Sequence, residues 1–133
     1  MIGAEIEKKL RPLFDAAGLR LVVLFGSMAT GKITKWSDID LGFLFDEPVD
    51  IVGLTNRVIT LLHSDKVDVV DLRRASPLLK FSAAKYGKAL YERSPGLFNQ
   101  FCSLAMRRFA DTKKIRVAQE RVVEDFLREK GLR

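Results

Sequence analysis

Leu19-Arg20-Leu21-Val22-Val23-Leu24-Phe25 is apolar at six of its seven positions. A strand turns successive side chains to opposite sides, so a run this uniformly apolar is expected of a strand covered on both faces. Gly26-Ser27 then breaks it. Ahead of the strand, Ile2, Ile6, Leu10, Leu13, Phe14 and Ala17 recur at spacings of three and four. That is the stripe of an amphipathic helix, which Pro12 bends or restarts and Gly18 stops.

The rest of the chain alternates in the same way. Ala29 to Ser37 is polar and irregular and reads as a short turn of helix and a loop, and Asp38 to Phe45 as the next strand. Asp46-Glu47-Pro48 ends that strand. Asp50 caps a helix running to about His63, with Val52, Thr55, Val58, Ile59 and Leu62 on one side. Lys66 to Leu72 is a third strand. Ser76-Pro77 reads as N-cap and first helical position of a helix that Gly87 closes, before a small strand from Lys88 to Glu92. Ser94-Pro95 repeats the signature, and the pattern stays helical to Lys130, with Asp111-Thr112 dividing it. Strands alternating with helices indicate an α/β fold built on a small sheet, followed by a helical tail.

The size agrees: 133 residues suit one domain. With 47% hydrophobic residues the composition argues against disorder. Cys102 is the single cysteine, which excludes an intrachain disulfide framework and a cysteine-rich zinc site and fits a reducing cytoplasm. The N-terminus is charged where a signal peptide is apolar, and no run approaches the ~20 apolar residues of a membrane span. The expectation is a soluble, cytoplasmic protein without a membrane partner. An excess of 23 Lys and Arg over 17 Asp and Glu permits a polyanionic partner but does not identify one.

Chemistry concentrates where Gly26-Ser27 is followed, after ten intervening residues, by Asp38-Ile39-Asp40. On a strand, Asp38 and Asp40 share a side, ~7 Å apart, while Ile39, Leu41, Phe43 and Phe45 fill the other. Paired carboxylates repel unless something positive lies between them, and oxygen-only ligands favour Mg²⁺ or Mn²⁺. The strand Lys66 to Leu72 offers a third carboxylate. Matching Val67 and Val69 to the apolar side leaves Asp68 with Asp38 and Asp40, with Asp71 as the alternative at the strand's end. Two Mg²⁺ ions among three carboxylates would suit an in-line phosphoryl displacement. Gly26 and Ser27, at a strand end, can approach phosphate oxygens through backbone N–H groups and a hydroxyl.

Phe25-Gly26-Ser27 and Ser37-Asp38-Ile39-Asp40-Leu41, with ten residues between Ser27 and Asp38, resemble the signature of the DNA polymerase β-like nucleotidyltransferase superfamily. Val67-Asp68-Val69-Val70-Asp71-Leu72 and Gly87-Lys88-Ala89-Leu90-Tyr91-Glu92 resemble its minimal nucleotidyltransferase (MNT) branch, which includes the MntA-type antitoxins. The resemblance spans about residues 1–95. It implies a nucleotidyltransferase fold with a mixed sheet and flanking helices, Asp38, Asp40 and Asp68 as metal-binding catalytic acids, and Gly26 and Ser27 on the triphosphate of ATP. It also implies transfer of AMP to a tyrosine of a HEPN toxin partner. Thr30 stands where many relatives carry Arg, so a phosphate contact is missing or falls to Lys32 or Lys35.

Residues 1–95 therefore read as a nucleotidyltransferase core and 96–133 as a helical extension that packs on the core or a partner. The extension is basic: nine Lys and Arg against five Asp and Glu from Arg107 onward. A docking helix for a partner or a second copy competes with a plain solvated face, and a homodimer is left open. Nucleic-acid binding ranks last because no aromatic residues for base stacking are interleaved with the charges. An antitoxin acting by occlusion alone is the alternative to the enzyme. Arg57 and His63, six residues apart, do not face one another on a helix, and His63 reads as a helix-end residue. Cys102 reads as a small buried hydrophobe. Trp36 either stacks on a base or covers the loop.

Overall fold

The computed structural model describes residues 3–26 and 38–131. The helical turn and loop expected between Ala29 and Ser37 lie outside these residues. Four strands, β1 (Leu19–Phe25), β2 (Ile39–Phe45), β3 (Val67–Asp71) and β4 (Lys88–Glu92), form one sheet in the order β3-β2-β1-β4. β1 runs antiparallel to β2 and β4, and β2 runs parallel to β3, so the sheet is mixed as expected. A parallel pair needs a crossover, and α2 (Ile51–Leu62) supplies it.

Both faces of β1 are covered. Val22 and Leu24 join Leu41 and Phe43 of β2 against Ile6 and Leu10 of α1 (Gly3–Leu10), with Leu54, Val58 and Leu62 of α2 closing this layer. Leu21, Val23 and Phe25 point the other way, onto Leu72, Ala83 of α3 (Pro77–Tyr86), and Phe98 and Phe101 of α4 (Leu97–Asp111). Every β1 residue except Arg20 is at most 5% exposed.

Local signals held in most places. Asp50 accepts a hydrogen bond from the Gly53 N–H at 3.2 Å and Ser76 accepts from the Leu79 N–H at 3.2 Å, as N-caps do. α1 ends at Leu10 and a single turn of 3-10 helix, Arg11–Leu13, carries Pro12.

Two details differ. Val52, expected on the buried side of α2, is 67% exposed, and the stripe is Leu54, Val58 and Leu62 instead. Ser94-Pro95 does not open α4. Gly96, at φ +92°, precedes Leu97, and the Phe98 N–H donates to the Glu92 carboxylate at 2.7 Å, so the end of β4 caps the helix from a distance that local spacing does not encode. α5 (Lys113–Glu129) follows after Thr112, where the division was expected, and none of its residues is buried.

Candidate active site

The ends of three strands converge. Phe25, the last residue of β1, is the antiparallel partner of Asp40, and Asp40 is the parallel partner of Asp68 on β3. Partners in adjacent strands lie ~4.8 Å apart and present side chains to the same face. Asp38 stands two residues before Asp40, immediately ahead of β2. Asp40 is half-buried, whereas Asp38 and Asp68 are exposed. Burial pushes the Asp40 carboxyl above its ordinary pKa, and the charges of Asp68 and Asp38 push it further the same way.

Gly26 turns the chain at φ +75° directly beside this pair. A Cβ at that position would run into Asp40 Oδ2, so the turn and the carboxylate fit together only without a side chain. Asp71 is placed elsewhere. Its register partner is Phe43, a residue of the opposite, α2-covered layer, and its Oδ1 accepts the Arg73 N–H at 3.1 Å. The register thus brings Asp68 rather than Asp71 to Asp40.

The chemistry of this donor set is that of a divalent-cation site. The three groups are carboxylates, they bear on one another electrostatically, and oxygen-only sites suit Mg²⁺ or Mn²⁺. Among the described residues no three His, Cys, Asp or Glu side chains stand close enough together to hold a metal ion as they are. Ser27, Thr30, Lys32, Lys35 and Trp36 lie outside the described residues.

His63 is an exposed residue in the left-handed conformation at φ 54°, ending α2. Cys102 is half-buried, its thiol 3.6 Å from the Ala84 carbonyl oxygen, and burial raises its pKa. Four other groups had drawn no attention in the sequence: Arg20, Arg73, Lys80 and Arg108 line one cleft at the other end of the same sheet face. They come from four parts of the chain, and no spacing rule links them.

Residues 8–96 match the protein family described as Polymerase beta, Nucleotidyltransferase. Protein adenylyltransferase MntA of Aphanizomenon flos-aquae is 32% identical over 138 aligned residues, covering 95% of this chain and 92% of that protein. A crystal structure described as a toxin-antitoxin with AMP-PNP is similar with a TM-score of 0.74 at 27% identity, over 96% of this chain and 99% of that one. A structure of a tri-AMPylated Shewanella oneidensis HEPN toxin in complex with MNT antitoxin has a chain of the same fold, with a TM-score of 0.71 at 24% identity, over 95% and 99% of the two chains.

Proposed function

We propose that this chain, which belongs to the Polymerase beta, Nucleotidyltransferase family, is a protein adenylyltransferase that moves AMP from ATP to a tyrosine hydroxyl of a cognate HEPN toxin and so acts as its antitoxin. The observation that carries this reading is the adjacency of Asp40 and Asp68 beside the Gly26 turn, in a chain that matches a protein adenylyltransferase over almost its whole length. A toxin-antitoxin with AMP-PNP and an AMPylated HEPN toxin, among the similar structures, support the donor and the acceptor.

In the reaction, the acceptor oxygen attacks the α-phosphorus of ATP. The bond from that phosphorus to the oxygen bridging to the β-phosphate breaks, and pyrophosphate leaves. Divalent cations held by Asp38, Asp40 and Asp68 would neutralise the phosphate charge that builds up. A carboxylate oxygen of Asp68 orients the attacking hydroxyl and accepts its proton. Gly26 and Ser27 receive the β- and γ-phosphates at the end of β1, where the chain turns at Gly26 and backbone N–H groups can face an anion.

Residues 1–95 are the catalytic core in this reading, and residues 96–133 the extension that serves partner recognition. Part of that extension is tied to the core, since Phe98 and Phe101 of α4 pack beneath the sheet, whereas α5 leaves Ile115, Val117, Val122, Val123 and Phe126 exposed. ATP as donor and one unpaired cysteine suit a cytoplasmic setting. Among the described residues no helix is long and apolar enough to cross a membrane.

The test is to incubate the protein with Mg²⁺, its cognate toxin and ATP labelled at the α-phosphate. Label moves to the toxin with the wild type and not with Asp38→Asn plus Asp40→Asn. Equal labelling by both would refute the assignment.

A further inference from the structure

At the far end of β2 from Asp40, and on the same face of the sheet, lies a cleft of about 290 Å³. Arg20 of β1, Arg73 beyond β3, Lys80 of α3 and Arg108 of α4 line it, and among the described residues no Asp or Glu does. Leu44, Leu72 and Phe101 give it an apolar floor. Asp40 and Leu44 are four residues apart on β2, a separation of ~13 Å. Between them Leu72 sits over Gly42, where a Cβ would meet the Leu72 side chain at 2.8 Å, so the cleft is walled off from the carboxylates.

The cations there outnumber the carboxylates near them, which are Asp46 beside Arg20 and Asp71 acting on Lys80. Burial pushes the Lys80 ammonium below its ordinary pKa and neighbouring Arg108 pushes it further down, with Asp71 acting in the opposite sense. Arg20 Nε is buried and, among the described residues, makes no hydrogen bond. It is ion-paired with Asp46 Oδ1 at 3.5 Å, but that one carboxylate is shared with Arg93, which holds Oδ2 at 2.6 Å. Like charges converging on a partly desolvated space call for an anion between them. Three of the four are arginines, whose planar fork matches phosphate oxygens. Beneath them, the half-buried Phe101 and two leucines match an apolar or aromatic body.

We propose that this cleft is a second ligand site, separate from the carboxylates, for a phosphate monoester carried on an aromatic or apolar body of mononucleotide size or smaller. A body of that size suits its volume, which is just under the ~300–1,000 Å³ of small-molecule pockets. The proposal does not depend on AMP transfer.

Calorimetric titration of the full chain with AMP, adenosine and inorganic phosphate, all in EDTA, tests it. AMP saturates the wild type, and adenosine and inorganic phosphate each bind about tenfold more weakly or worse. Asp38→Asn plus Asp40→Asn leaves AMP affinity within about twofold, whereas Arg73→Ser plus Arg108→Ser lowers it about tenfold or more. The single Arg73→Ser variant, at an exposed position, gives a smaller loss in the same direction and covers the case in which the double variant does not melt cooperatively. Absence of AMP binding, equal affinity for inorganic phosphate, or a loss confined to the aspartate variant would overturn it. Toxin labelling is measured separately, so failure of one reading leaves the other standing.

Discussion

The Cα of Gly26 lies against the carboxylate of Asp40 so closely that a Cβ would overlap Oδ2, although fourteen positions separate the two residues in the chain. Gly26→Ala therefore suffers twice, from the collision and from φ +75°. A loss of about 1–3 kcal/mol of stability is expected, readable from the urea midpoint. Toxin labelling should fall more steeply than the folded fraction, because any relief of the collision moves Asp40. An alanine variant with unchanged labelling would show that the Asp40 carboxylate does not need its place beside the turn.

Metal dependence follows from the acidic cluster. Millimolar Mg²⁺ should raise the melting temperature of the wild type, since a ligand that binds only the folded state stabilises it. Asp38→Asn plus Asp40→Asn should abolish that rise. In EDTA the same variant should melt no lower than the wild type, because removing carboxylates removes repulsion that burial strengthens at Asp40. Differential scanning calorimetry with and without Mg²⁺ reads both outcomes.

Asp46 gives the pH dependence. Its hydrogen bond to Arg93, at 2.6 Å, holds the carboxyl below its ordinary pKa, with the Arg93 and Arg20 charges acting the same way. A carboxyl with a depressed folded-state pKa contributes stability above its unfolded pKa and loses it as pH falls through the folded one. Asp46→Asn should therefore melt below the wild type at neutral pH. The gap should close in acid, below the usual carboxylate range of ~3.9. A gap that persists in strong acid would point to packing rather than charge.

α5 has no buried residue, and Ile115, Val122 and Phe126 are 60%, 69% and 55% exposed. Its attachment is local: Arg116 lies over the Phe109 ring at 3.6 Å, and Phe109 stacks on Phe81 at 3.9 Å. Removing residues 113–133 should leave the melting of the core almost unchanged. Binding to the cognate toxin, measured by surface plasmon resonance, should weaken about tenfold or more, since exposed apolar side chains of this size act as interface anchors. Unchanged affinity would make α5 a solvated helix and nothing more.

What could be read from the sequence depended on how local its cause was. β1 was legible because its own residues state that both faces are covered, and Asp50 and Ser76 because a cap acts three residues away. Choosing between Asp68 and Asp71 took a matching of apolar sides, and only the parallel register makes Asp40 the partner of Asp68. Glu92 as the cap of α4, and Asp46 as the partner of Arg93 47 positions away, belong to the fold and leave no trace in spacing. The same is true of the basic cleft. Val52 was misplaced because several apolar residues in α2 compete for one stripe, and the start of the helix decides which of them face the sheet.

The strand order has a further consequence. β2, which carries Asp40, is interior to the sheet, while β3, which carries Asp68, forms its margin, with no described strand beyond it. A donor nucleotide gripped from the interior and an acceptor arriving from outside would thus reach the carboxylates from different sides. A folded macromolecule could deliver its hydroxyl laterally to Asp68 without first entering an enclosed chamber, an access route wide enough for something as large as another protein.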